Sequence, residues 1–283
     1  MLRVRGLEKA WKKPVVRGVD LDVGPGEVVG LLGANGAGKT TTFRMVMGMI
    51  QPDAGQVELL GKDVTGWPMF RRAQAGLGYL PQETSIFRDL TVEQNLLVVL
   101  EHLSLGRKER LAECARLLAE YGLSGQRVQA AHSLSGGQKR RLEVARALIT
   151  RPRIVLFDEP WAGVDPIARG DIQDIVAGLK ARGIAVFITD HDVERVLLTV
   201  ERVYLMHEGQ VVVSGTPREL VASDVARRAY LGHDFHLDLD RRTSARSLRD
   251  APEAVGVPVV PVVQVDAGAA RTATGPRPTE DAA

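Results

Sequence analysis

Val28-Val29-Gly30-Leu31-Leu32-Gly33-Ala34-Asn35-Gly36-Ala37-Gly38-Lys39-Thr40 is the stretch that decides the fold. Its first five residues form an unbroken apolar run, as expected of a strand buried on both faces. The next eight match the pattern GxxxxGK[ST] in full. Glycines let the backbone N–H groups turn inward on a phosphate, and the helix expected from Thr40 to near Gly48 adds its positive N-terminal end. Lys39 then reaches the β- and γ-phosphates, and the Thr40 hydroxyl can ligate Mg²⁺. A Gly-rich turn with a solvated lysine is the competing reading, and the strand before and helix after disfavour it.

Two further motifs lie downstream. Ile154-Val155-Leu156-Phe157-Asp158-Glu159 is an apolar strand ending in two carboxylates. An Asp there assists Mg²⁺ beside a phosphate loop, and a second acid can orient and deprotonate an attacking water. Leu134-Ser135-Gly136-Gly137-Gln138 begins its serine 96 residues after Lys39. Ser135 is a good N-cap, and the amides of Gly136 and Gly137 are expected to form an exposed anion nest.

The surrounding pattern is α/β. Short strands are expected at Leu2–Val4 and Val19–Val23, giving an N-terminal β region, and at Ala185–Thr189. Asp171–Lys180 reads as a crossover helix joining parallel strands. Val203–Met206 and Val211–Val213 flank Glu208-Gly209-Gln210 as a hairpin. Thr91 with Gln94 fits a capping box. Leu111, Cys114, Ala115 and Leu118 recur at helical spacing, so a helical subdomain is expected over about 88–135.

Composition narrows the function. The 283 residues carry 37 Lys+Arg against 35 Asp+Glu, a net charge of +2, which argues against a polybasic nucleic-acid binder. No apolar run approaches the ~18 residues of a membrane span. Met1–Arg5 lacks a signal-peptide core, and the single Cys114 fits a reducing cytoplasm. All 13 aromatic residues lie at or before Phe235. Residues 239–283 hold two Leu and five of the 14 prolines, with six Arg balancing six acids. Such a segment offsets little of its ordering entropy, so 236–283 is expected to be a disordered tail behind a folded domain at 1–235.

Together these motifs resemble the ATP-binding cassette ATPases of ABC transporters, P-loop NTPases with a helical subdomain and an antiparallel β region. The resemblance covers about 1–235 and implies roles for single residues. Gly33, Asn35, Gly36, Ala37, Gly38, Lys39, Thr40 and Thr41 would hold the phosphates of ATP. Trp11, 22 residues before Gly33, matches the aromatic that stacks on adenine; a partly buried surface Trp is the alternative. Gln82 matches the loop glutamine that senses Mg²⁺ and water, so Thr40, Gln82 and Asp158 are the implied Mg²⁺ residues. Glu159 is the implied base, and His191 matches the switch histidine facing the γ-phosphate. Ser135, Gly136, Gly137 and Gln138 would close the ATP site of a second copy, coupled through Asp165 in Ala162-Gly163-Val164-Asp165. The implied unit is a head-to-tail pair with two ATPs.

Finer features are similar to the branch of the family that powers lipopolysaccharide export. They are Gly78–Arg88, Asp158–Pro166, Ile188–Val193 and Tyr230–Phe235. That resemblance implies two transmembrane permease partners, no nucleic acid, and a place on the cytoplasmic face of the inner membrane. Two rivals are branched-chain amino-acid importers, which share the Gln82–Val92 region, and soluble non-transport cassette proteins, which usually carry paired cassettes or a long coiled-coil insert. Trp161 stands where the export branch usually has Phe, and Asp192 where it has Asn. Asp192 is expected to bring an extra carboxylate to His191. Cys114 is expected in a core, Lys139-Arg140-Arg141 on a solvated helix face, and His132, His207, His233 and His236 at no metal.

Overall fold

A computed structural model describes residues 1–162, 169–232, 235–237 and 239. Asp165, His233, Asp234 and the stretch 240–283 lie outside these, and with them the expectations for the coupling aspartate and most of the tail.

The chain opens with β1 (Leu2–Ala10) and β2 (Pro14–Val23), much longer than the short strands expected. Leu2, Val4 and Leu7 are buried while Arg3 and Arg5 face out. The alternation slips once, at a register shift between Val4 and Leu7 where Gly6 takes φ 55°. That bulge broke the simple period-two pattern and hid the strand's length. β3 (Val28–Gly33) leads through the glycine loop into α1 (Lys39–Met47). Next come β4 (Ala54–Leu59), β5 (Lys62–Asp63), α2 (Met69–Gln74) and β6 (Leu77–Leu80). Three helices follow, α3 (Val92–Leu100), α4 (Arg107–Glu120) and α5 (Gly136–Leu148). The second half runs β7 (Ile154–Asp158), α6 (Arg169–Ala181), β8 (Ala185–Thr189), α7 (Val193–Thr199), β9 (Arg202–His207), β10 (Gln210–Gly215) and α8 (Pro217–Ala222).

Two sheets result. An antiparallel sheet has the order β2-β1-β4-β5. A larger sheet has the order β10-β9-β3-β8-β7-β6, with parallel neighbours from β9 to β6 and an antiparallel β10 at its edge. Glu208 (φ 47°) and Gly209 (φ 84°) turn the β9–β10 hairpin, both left-handed as a type I′ turn demands.

Apolar side chains on the two faces of the large sheet form separate cores. One packs Leu31, Leu156 and Phe187 against α1 and the antiparallel sheet, with Phe43 stacked on Phe187 at 4.7 Å. The other packs Leu32, Phe157 and Ile188 against α6 and α7, and Tyr230, Phe235, Leu237 and Leu239 lie on it. A third core belongs to the helical region. Val92, Leu96 and Leu100 of α3 meet Cys114, Leu117 and Leu118 of α4, and Leu142 and Ala145 of α5 with Ile149 just past its end complete it. Thr91 and Gln94 form the expected capping box at 3.1 and 2.8 Å.

Sheet order positions the site. β8 lies between β3 and β7, and one row of the sheet runs Leu31, Thr189, Asp158. The residues that follow this row leave the sheet together at its carboxyl edge, the ligand crevice of open parallel sheets.

Candidate active site

Backbone conformation shapes the glycine loop. Gly36 takes φ 82° and Gly38 φ 100°. A Cβ on Gly38 would stand 2.6 Å from the Val15 oxygen, whereas one on Gly36 would meet nothing within 4 Å. The loop is thus pressed against β2 on one side and open on the other. β2, whose Val15 meets the loop, begins at Pro14 just past the Trp11 turn. Trp11 is 63% exposed, and the Lys9 ammonium lies over its ring at 5.0 Å while also pairing with Asp53 at 2.6 Å.

Helix α1 starts without a side-chain cap, as α2 and α4 also do. Thr91, Ser135 and Thr216 cap α3, α5 and α8 with their side chains, whereas Gly38 caps α1 with none. The opening amides of Lys39, Thr40 and Thr41 thus have no side-chain cap, and their place directly after the glycine loop suits an anion. Lys39 is buried, and its Nζ donates to the Gly33 and Ala34 oxygens at 2.6 and 3.0 Å. Burial pulls the ammonium below its ordinary pKa, while the Glu159 charge pushes it back up. A bound polyphosphate would favour its charge.

Across the crevice, Asp158 is buried and accepts a hydrogen bond from the Tyr79 hydroxyl at 3.2 Å. Burial raises its pKa, and burial with the Asp158 charge pushes Tyr79 up to about 12. Glu159 adopts φ 46°, rare for a residue with a side chain. Its amide donates to the Thr189 oxygen at 2.7 Å, and its own carbonyl accepts from Ala162 at 3.1 Å. Gln82 Nε2 donates to Glu159 Oε2 at 2.8 Å. His191 Nδ1 stands 3.5 Å from the same oxygen and 3.4 Å from Asp190 Oδ1. Gln82, Glu159 and His191, which come from three different strand ends, form one cluster.

The other motif residues lie elsewhere on the chain. Among the described residues no hydrogen bond joins Ser135–Gln138 to the glycine loop. Ser135 and Gln138 are engaged with each other in a capping box at 3.0 and 3.3 Å. Gly136 is exposed but Gly137 is buried, so the exposed nest is smaller than expected.

Two other expectations are corrected. Arg140 is not on a solvated face: it is buried, donates to the Pro81 oxygen at 3.0 Å and pairs with Glu143 at 2.9 Å. Glu143 in turn accepts from the Ser85 amide at 2.7 Å. This pair ties α5 to the loop carrying Gln82, and its trace in the sequence was the i,i+3 spacing of the two charges. Asp192 does not turn its carboxylate to His191. It caps α7 by accepting from the Arg195 amide at 3.2 Å and pairs with the Arg195 guanidinium at 2.9 Å. Trp161 is buried in the core beside α6, and its indole N–H has no hydrogen-bond partner among the described residues.

Sequence reasoning missed Arg72. It is fully buried, and its guanidinium donates to the Met45 and Val46 oxygens at the end of α1 (2.7 and 2.6 Å) and to those of Trp67 and Thr65. Burial lowers its pKa to about 10, so it stays charged at neutral pH and complements the helix's negative end.

A loop built for polyphosphate, two acids facing it and an amide-plus-imidazole cluster on the second acid together define a P-loop nucleotide hydrolase. The chain belongs to the ABC transporter family, whose model matches residues 16–162. A probable ABC transporter ATP-binding protein of Azorhizobium caulinodans is 52% identical over 233 residues, covering 82% of this chain and 83% of that one. The lipopolysaccharide export system ATP-binding protein LptB of Acidithiobacillus ferridurans is 48% identical over 238 residues, 84% of this chain and 99% of LptB. LptB of Escherichia coli K12 is 45% identical over 238 residues, 83% and 99%. Among solved structures, the ADP conformation of an ATP-binding cassette superposes with a TM-score of 0.73 at 28% identity, covering 82% of this chain and 98% of that one. The protein is an ABC ATPase and binds adenine nucleotide. No helix among the described residues is long and apolar enough to cross a membrane.

Proposed function

We propose that this chain is the ATP-hydrolysing subunit of a lipopolysaccharide exporter. It would work as a head-to-tail pair under two transmembrane permease subunits, on the cytoplasmic face of the inner membrane. Identity of 45–48% to LptB from three bacteria over at least 83% of the chain supports the cargo. The Gln82–Glu159–His191 cluster facing the phosphate loop carries the chemistry.

Trp11 stacks on the adenine, and Lys9 covers one of its faces, leaving the other for the base. The loop amides and Lys39 hold the phosphates. Mg²⁺ fits this site on two observations. The groups at hand are oxygen donors, and Asp158 is a buried carboxylate with no Lys or Arg in ion-pair contact among the described residues. Thr40, Gln82 and Asp158 would hold the ion together with phosphate oxygens. When bound it neutralises charge on the phosphates.

Glu159 takes the proton of the attacking water, its carboxylate aimed by Gln82 and by its constrained backbone. His191 faces the γ-phosphate. Ser135–Gln138 of the second copy closes over the nucleotide. In that state the Ser135 hydroxyl still has its own proton to donate, because in the capping box it acts as acceptor. Asp165 couples the two sites.

Glu159→Gln is expected to bind ATP at near wild-type affinity, lose about 100-fold or more in turnover, and elute as an ATP-dependent dimer. Wild-type turnover would remove Glu159 as the base. For the cargo, the decisive measurement is ATP-dependent lipopolysaccharide release from vesicles holding the chain with its co-purified permeases. Release of amino acids instead would overturn export.

A further inference from the structure

Asp190 follows β8 directly and is fully buried. A buried carboxylate needs partners, and among the described residues no Lys or Arg lies in ion-pair contact with it; Arg140 acts on it only at longer range. Among the described residues its hydrogen-bond donors are two amides, and one ring lies against it. Oδ2 accepts from the Trp161 amide at 3.1 Å, and Oδ1 accepts from the Asp192 amide at 2.9 Å. Oδ1 also faces His191 Nδ1 at 3.4 Å, with Glu159 Oε2 on the same nitrogen at 3.5 Å. The His191 side chain is otherwise 65% exposed, so Asp190 is its fixed anchor on the protein side.

An ionised carboxylate only accepts hydrogen bonds. With two carboxylate oxygens 3.4 and 3.5 Å from Nδ1, the proton is favoured on Nδ1, which leaves Nε2 as the ring nitrogen free to accept. We propose that Asp190 is a positioning residue for hydrolysis: it holds the proton of His191 on Nδ1, leaves Nε2 free to accept, and fixes that ring to Trp161, two residues past Glu159. One carboxylate thereby joins the ends of β7 and β8 into a single unit. Asp192 cannot substitute for it, because its carboxylate is committed to Arg195. The inference rests on the reading of His191 as the residue facing the γ-phosphate.

Two measurements test it on the full chain. In the first, ring ¹⁵N shifts of histidine-labelled wild type are recorded in alkaline buffer, with His191 assigned by its loss in His191→Gln. A neutral His191 carrying its proton on Nδ1, the minor tautomer in water, is expected; the Nε2–H form overturns the proposal. This reading needs no Asp190 variant to fold. In the second, Asp190→Asn keeps the size but leaves a single acceptor oxygen for two amides and the ring. It is expected to lower kcat roughly tenfold or more while KM for ATP changes little. An unchanged kcat overturns the proposal, as does a loss confined to KM. His191→Ala separates the two readings: full activity there removes His191 from catalysis, whereas the tautomer reports on the two carboxylates at Nδ1 and the kcat of Asp190→Asn on Asp190 itself.

Discussion

Glu159 is a side-chain-bearing residue held at φ 46°, a conformation that costs free energy and persists because its neighbours fix it. Its amide is tied to Thr189 and its carboxylate to Gln82, so the strain aims a reactive group. Gly38 shows the converse. At φ 100° with the Val15 oxygen 2.6 Å from any added Cβ, it meets both a torsional and a steric limit. Gly38→Ala is expected to destabilise the fold by about 1–3 kcal/mol, measurable as a shifted urea midpoint, and to weaken ATP binding in calorimetry. Single residues were legible from sequence where chemistry sits in a contiguous motif, as at Lys39, Asp158 and Glu159. They were hidden where tertiary packing decides. The i,i+3 spacing of Arg140 and Glu143 allowed an ion pair but gave no sign of burial, and the side chain of Asp192 could serve either a helix cap or an imidazole. The cap won because Arg195 adds an ion pair to it.

At the scale of elements, helix starts differ. Side chains of Thr91, Ser135 and Thr216 cap α3, α5 and α8, whereas α2, α4 and α1 start without one, and of these α1 alone follows the GxxxxGK[ST] loop. Its other end is neutralised by Arg72, which no periodicity could announce because it sits 25 residues past Met47 on another helix. The helical region shows how packing redraws an element's partners: α5 starts with the Ser135 motif, yet Leu142 and Ala145 belong to the core of α3 and α4. Cys114 lies within that core, and burial pushes its thiol from 9.0 up to about 11. A folded-state pKa above the unfolded one means that this contribution to stability is full below about 9 and fades as pH rises toward 11. Native protein at mild pH is therefore expected to resist iodoacetamide at Cys114, with alkylation following unfolding in urea. Fast alkylation under native conditions would show an open helical core.

Over the whole molecule, strand order governs everything else. The chain enters the large sheet at β3, adds β6 at its edge, leaves for the helical region, and returns through β7 and β8, which fill the gap between β6 and β3. Residues as distant as Gln82 and His191 thereby meet on Glu159. The parallel βαβ unit was legible because its strands are uniformly apolar. The pairing of β1 with both β2 and β4 was not, since an antiparallel sheet with a bulge leaves no continuous pattern. At the other end, Phe235, Leu237 and Leu239 pack on the core beside α6 and α7. Truncation after Leu239 is expected to leave basal ATPase within about twofold of wild type, and truncation after Ala226 to lower the melting temperature by several degrees; equal melting temperatures would show that this packing adds nothing. The placement of the tryptophans has an optical consequence. Trp11 is mostly in water, whereas Trp161 is sealed in the core two residues from Glu159. With Trp11 and Trp67 replaced by Phe, the remaining indole becomes a native fluorophore beside the Glu159 carboxylate, and its emission can time each turnover without an attached dye.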